Sequence, residues 1–105
     1  MSKKVTISVP VEVTVRDRDM RLLAAVTRLA AGSESETRAS IGRLSAETDS
    51  SVDTVRRAVR SCVASGYLVV MANSLENGTR QENTYALTGE GRRILAAARA
   101  AGVVS

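Results

Sequence analysis

The segment from residue 51 to residue 68 has the sequence SVDTVRRAVRSCVASGYL, and it decides the expected fold. Ser51 is the expected N-cap of a helix, with its hydroxyl accepting from the backbone N–H of Thr54. Gly66 is expected to end that helix. Ala58 and Val63 flank the predicted buried face of this helix. That face is formed by apolar residues at intervals of 3, 4 and 3 positions: Val52, Val55, Val59 and Cys62.

The opposite side of this helix carries arginines. With Val55 facing the core and a rotation of about 100° per residue, Arg56 lies beside an outward face formed by Asp53, Arg57, Arg60 and Ala64. Guanidinium groups hold phosphates or bond both acceptors on a guanine edge, so this face predicts a contact with a DNA major groove. The competing interpretation is a solvated face on which the arginines pair with Asp53.

A shorter helix is expected directly upstream, within residues 37–48. Thr37 is its expected N-cap. Asp49 and Ser50 form the tight turn that leads to the next helix. The apolar face consists of Ile41, Leu44 and Thr48.

The N-terminal segment, residues 4–16, alternates apolar β-branched residues at odd positions with polar residues or Pro10 at even positions. This period of two predicts a strand with one buried face. Pro10 has no backbone N–H, so it requires a sheet edge or a bend. The stretch is long for one strand. It either breaks near Pro10 into two strands or extends as an arm that pairs with a second chain.

Residues 17–31 return to helical spacing and predict the first helix, with Asp17 or Asp19 at its start. Residues 33–36 are expected to form a short acidic loop.

A β-hairpin is expected over residues 67–87, with strands at 67–71 and 84–87 and an asparagine-rich connection between them. Thr88 is the expected N-cap of a final helix over residues 88–101. The alanines of that helix allow close approach of another helix, which is either part of the same domain or belongs to a second chain.

The resulting order of elements resembles a winged helix-turn-helix DNA-binding domain, similar to those of MarR- or GntR-like regulators and of plasmid replication initiators. Three local features carry the resemblance. They are Ile41 and Leu44 followed by Ser51-x-x-Thr54-Val55, the Gly66-Tyr67-Leu68 exit from the helix, and the closing Tyr85-x-Leu87-Thr88-x-x-Gly91. The fold hosts many functions, so the resemblance does not select one family.

Three groups of residues are expected to contact DNA, and the resemblance implies the first of them. The recognition helix would read bases with residues early in its sequence, joined by the outward Arg60: Val52, Asp53, Thr54, Arg56, Arg57 and Arg60. Arg38 and Arg43, both expected on the preceding helix, are either phosphate contacts or plain surface residues. Ser51 and the free N–H groups at the helix N-terminus form a site suited to a phosphate. The hairpin, or wing, would touch sugar and phosphate through Asn77, Arg80, Gln81 and Asn83. Glu76 and Glu82 make this wing more acidic than is usual for the fold.

Composition removes several other classes of function. The chain of 105 residues has no His and one Cys, Cys62, which is expected in the core. These counts leave no usual general base near neutral pH and no zinc cluster, and no nucleophile with a base or phosphate-binding loop is found. We therefore expect no enzyme, cofactor, metal or membrane span, and a cytoplasmic location. The net charge of +4 allows a polyanionic partner.

The sequence as a whole predicts an α+β winged helix-turn-helix protein. An N-terminal β arm (1–16) is followed by the winged helix-turn-helix domain (17–101) and a short tail (102–105). The expected function is binding of double-stranded DNA as a homodimer, through the N-terminal strand, the C-terminal helix or both. Such a protein would be a transcriptional repressor or a plasmid or phage replication or partition factor. The alternative is a winged-helix interaction module, for assembly or inhibition, that does not bind DNA.

Overall fold

A computed structural model describes residues 4–8, 12–30, 36–74 and 80–102 of the chain. Over these residues the protein is α+β, with helices, a three-stranded antiparallel sheet and a separate two-stranded sheet. In chain order the elements are β1 (Lys4–Ser8), β2 (Glu12–Arg16), α1 (Asp17–Ala30), β3 (Glu36–Ala39), α2 (Ile41–Thr48), α3 (Val52–Ala64), β4 (Leu68–Ser74), β5 (Arg80–Leu87) and α4 (Gly89–Ala100).

The N-terminal segment folds back on itself. β1 pairs with β2 in antiparallel register, from Lys4 opposite Arg16 to Ser8 opposite Glu12. Of the two arrangements expected for residues 4–16, the structure contains the one with two strands. Pro10, the expected site of the break, lies outside the described residues, as do residues 103–105 of the predicted tail.

The structure has a strand, β3, where the sequence predicted the end of a loop and a helix capped by Thr37. Residues 36–39 pair with β5, and α2 begins only at Ile41. Its N-cap is Ser40 rather than Thr37, since the Ser40 hydroxyl accepts from the backbone N–H of Arg43 at 3.0 Å. A four-residue strand with a polar sequence is stabilised by the backbone hydrogen bonds of its partner strand, which local spacing does not reveal.

The two wing strands are longer than expected. β5 lies between β3 and β4 in the sheet, so it is paired on both sides. Asn83, expected in the connecting loop, stands opposite Ala39 on one side and Ala72 on the other. Asn73 likewise lies within β4. Pairing on two sides extends β5 to Asn83, whose own preference is for turns, whereas Asn73 lies at the register shift of the edge strand β4.

The core lies between the helices and one face of the three-stranded sheet. The central strand contributes Tyr85 and Leu87, and β4 contributes Leu68, all of them buried. Strand β2 contributes Val15. The helices contribute the other large buried side chains: Met20, Leu22, Leu23, Val26, Leu44, Val55, Cys62, Ile94 and Leu95. This packing fixes α3 against α1 and the sheet, which leaves its other side to solvent.

The exit from α3 is tied to the start of α4. Gly66 has a φ of +79°, which L side chains rarely adopt, and it turns the chain out of the helix. The N–H of Thr88 then donates to the carbonyl of Tyr67 at 3.0 Å. The Thr88 hydroxyl donates to the carbonyl of Gly66 at 2.5 Å and accepts from the N–H of Gly91 at 3.0 Å. Thr88 is thus the N-cap of α4, as the sequence predicts.

Candidate nucleic-acid interface

The turn between α2 and α3 sets the position at which α3 begins. Asp49 ends α2 in the left-handed conformation, with a φ of 51°. Ser51 is the N-cap of α3, and its hydroxyl accepts from the N–H of Thr54 at 3.1 Å. The same hydroxyl donates to Oγ1 of Thr54 at 2.9 Å. The predicted cap is confirmed, and the Ser51 hydroxyl is already engaged within the helix start.

The outward face of α3 is presented to solvent. The five side chains expected there are all exposed: Asp53, Arg56, Arg57, Arg60 and Ala64. On the inner side Val55, Ala58 and Cys62 are buried. Val63, expected beside the apolar face, is instead 45% exposed, because the buried side is centred on Ala58. Val52, Thr54 and Val59 are half-buried.

The arginines of α3 differ in their electrostatic partners. Nη2 of Arg57 lies 3.2 Å from a carboxylate oxygen of Asp53, one helical turn earlier. Arg56 and Arg60 make no ion pair with any residue that the structure describes. The interpretation of a self-paired face therefore applies to Arg57, whereas no carboxylate of the described residues compensates the charge of Arg56 or Arg60.

The two arginines predicted to hold phosphates lie on different elements. Arg43 is on α2, as expected, with Nε 3.6 Å from Glu47. Arg38 is on β3 and not on a helix, because the chain pairs with β5 at this point. Its Nε lies 3.6 Å from Glu82. Both side chains are more than half exposed, so each remains able to leave its surface ion pair.

The predicted wing residues are only partly within the described residues. Asn77 lies outside them. The structure describes the backbone of Arg80 and Gln81 within β5 but not their side chains. Asn83 is not at the wing tip: its Nδ2 donates to the hydroxyl of Tyr85 at 3.2 Å. Its position on β5 brings it beside α3, in a cleft that also touches Arg56 and Arg60.

A buried carboxylate anchors the back of α3. Asp19 in α1 is 4% exposed and accepts from the hydroxyl of Ser61 and, at 3.0 Å, from Nε of Arg18. The sequence suggested Asp19 only as a possible cap for α1, which begins at Asp17. The sequence signal for this contact is the helical position of Ser61, which places a hydroxyl near the buried side of α3. The Asp19 contacts hold α3 against α1.

Cys62 has the environment of a core residue. It is fully buried, and its thiol donates to the carbonyl of Asp19 with an S···O distance of 3.7 Å. Burial raises the pKa of the Cys62 thiol far above its ordinary value, and the nearby Asp19 carboxylate raises it further. The thiol therefore stays protonated at neutral pH, as expected for a small core residue.

The sequence matches no protein-family model and no curated protein. Among the residues placed by the structure, no three acidic or cysteine side chains come together as a metal site. None of the helices described is both long and apolar enough to cross a bilayer.

Proposed function

We propose that this protein is a winged helix-turn-helix protein that binds double-stranded DNA, with α3 entering the major groove. The observation that carries the proposal is the exposed pair Arg56 and Arg60, one helical turn apart and without an acidic partner among the described residues. The order of α2, tight turn, α3 and a β4–β5 hairpin, with β3 paired to β5, is compatible with a winged helix.

The chemistry of this face suits DNA better than it suits a neutral partner. A guanidinium bonds O6 and N7 of guanine together, or bridges phosphate oxygens. Asp53 accepts from Arg57 in the free protein. In the complex it either keeps Arg57 in place or accepts from the N4 amino group of a cytosine. Arg43 and Arg38 would add phosphate contacts on release from Glu47 and Glu82.

The biological role that we propose is that of a repressor, or of a plasmid or phage replication or partition factor. A homodimer would set two copies of α3 about 34 Å apart, which matches half-sites separated by one helical turn of DNA. The N-terminal sheet and α4 are the proposed dimer contacts. One subunit offers few cationic contacts, so pairing would raise affinity by engaging two half-sites.

Binding to random duplex DNA is the first test. We expect fluorescence anisotropy to detect a complex whose affinity decreases by about fortyfold between about 50 and about 200 mM salt, if three phosphates are contacted. Affinity decreases with added salt because the bound arginines displace counterions from the DNA phosphates. Absence of any complex at the lower salt concentration would contradict the proposed function.

The dimer is tested by light scattering. The full chain is expected to show twice the mass of one 11.1 kDa chain. A shortened chain that lacks residues 1–16 is expected to dissociate more readily, because it has lost the β1–β2 hairpin. A monomer in both samples would contradict the arrangement of paired half-sites.

A second candidate function is the interaction module that binds no DNA. Val69 and Met71 favour it, since each is 46% exposed on β4, an edge strand of the three-stranded sheet. Exposed apolar side chains on a sheet edge are typical of surfaces that pair with another chain. The interaction module would form no complex with duplex DNA at any salt concentration, so the anisotropy measurement separates the two functions.

A further inference from the structure

Strand β4 forms one edge of the three-stranded sheet, and among the described residues no strand lies on its outer side. The backbone N–H and C=O groups along such an edge are able to pair with a strand of another chain. Two side chains of this edge strand, Val69 and Met71, are apolar and each nearly half exposed. An edge backbone and exposed apolar side chains therefore occur at the same place.

The charge pattern distinguishes β4 from the other strands. Among the strands that the structure describes, β4 alone contains no charged residue. Charged side chains on an edge strand oppose the approach of a second strand. The opposite edge of the same sheet has this protection, because β3 is four residues long and carries the exposed Glu36 and Arg38. Two copies of β4 can approach each other without bringing like charges together.

The regular part of β4 has a symmetric register with a second copy of itself. Pairing with β5 is regular from Leu68 to Ala72, and a register shift follows before Ser74. The midpoint of that five-residue segment is Val70. A twofold axis through this midpoint, perpendicular to the sheet, makes the two strands antiparallel and places Val70 opposite its own copy. Each Val69 then lies opposite Met71 of the second copy.

In this register the exposed apolar side chains cover one another. Val69 and Met71 are two positions apart, so they project from the same face of β4. Leu68 projects from the other face and is buried in the core. Residues directly opposite one another in an antiparallel pair have Cβ atoms about 4.5–5.5 Å apart. Each valine is thus within contact distance of a methionine of the other copy, and the contact removes apolar surface from water.

We propose that β4 pairs with β4 of a second copy of this chain and joins two three-stranded sheets into one sheet of six strands. This contact is separate from the N-terminal sheet and α4, and it does not depend on DNA binding. Each copy contributes a regular strand of five residues, whereas stable interfaces use about 20–30 residues a side. The pairing is therefore weak, with a dissociation constant on the order of 0.1 mM.

Sedimentation velocity over a range from about 5 µM to about 1 mM is the first test. We expect the average mass of the parent to increase toward twice its value at the lowest concentration. The V69K protein is expected to associate about tenfold more weakly, because lysine on an edge strand opposes pairing. V63K is the matched control, since Val63 is similarly exposed but lies on α3. No increase in the mass of the parent, or equal association of V69K and V63K, overturns the proposal.

A mixture of V69K and M71E tests the register. In a pair of one V69K chain and one M71E chain, the introduced lysine faces the introduced glutamate, and the other such position keeps methionine opposite valine. We expect the mixture to associate at least about threefold more strongly than either variant alone. Circular dichroism establishes that both variants are folded. Equal association of the mixture and of the separate folded variants contradicts the antiparallel register centred on Val70.

The parent protein provides a test that needs no substitution. In a mixture of ¹³C-labelled and unlabelled chains at about 1 mM, isotope-filtered NOE spectra detect contacts between copies. We expect such contacts between the methyl groups of Val69 and the methyl group of Met71. Associated protein in which neither residue contacts the other copy overturns the proposal, whether or not the protein binds DNA.

Discussion

Replacement of Gly91 by alanine is expected to cost about 3 kcal/mol of folding free energy or more. A Cβ at this position would lie 2.1 Å from the carbonyl oxygen of Tyr67. That oxygen cannot move away cheaply, because it accepts from the N–H of Thr88 at 3.0 Å. The N–H of Tyr67 is itself bonded to the carbonyl of Cys62 at 2.9 Å. The substitution therefore strains the connection between α3 and α4.

Gly89 provides the matched control for this change. It also lies in the first turn of α4, and nothing lies within 4 Å of a Cβ built on it. Alanine is a better helix former than glycine, so G89A is expected to be neutral or to stabilise by less than about 1 kcal/mol. Urea unfolding followed by circular dichroism measures both variants. Equal stability of G91A and G89A would contradict the close packing of α4 on Tyr67.

Combined replacement of Arg56 and Arg60 by alanine is expected to weaken binding to duplex DNA by about 100-fold. Each guanidinium would lose a charge-assisted contact to a base edge or a phosphate. If both contact phosphates, the slope of log affinity against log salt is also expected to decrease in magnitude by about 1.8. The unfolding midpoint is expected to change little, because both side chains are exposed.

The control for this pair removes the same charge from another helix. Arg92 and Arg99 on α4 are exposed, and neither makes an ion pair with the described residues. The R92A/R99A protein is expected to bind DNA within about threefold of the parent, through the loss of long-range attraction alone. Equal losses in the two double variants would indicate that net charge, and not the face of α3, determines binding.

Local signals in the sequence predicted the elements that local interactions stabilise. Ser51 and Thr88 are N-caps as expected, because a hydroxyl before an amphipathic segment satisfies a free N–H within the next turn. The exposure of Arg56, Arg57 and Arg60 followed from helical periodicity and the position of Val55. The break of residues 4–16 into two strands was one of two expected arrangements.

Long-range pairing accounts for most of what the sequence did not predict. The sequence of β3 has no clear hydrophobic pattern that predicts a strand. Arg38 was therefore expected on a helix, whereas pairing with β5 places it on a strand. The same sheet placed Asn83 beside α3 rather than in the wing loop. Asp19 and Ser61 lie far apart in the sequence, so no local periodicity predicts their contact. These residues determine the cleft and the anchoring of α3, so the site required the tertiary structure.

The most direct measurement of contact is NMR of the arginine side chains during titration with a short DNA duplex. If the outward face of α3 binds DNA, the Nε–Hε signals of Arg56 and Arg60 shift as duplex is added. Those of Arg92 and Arg99 then stay in place. Shifts confined to α4, or no shift on α3 in a solution where DNA is demonstrably bound, would contradict the assignment of α3 as the recognition helix.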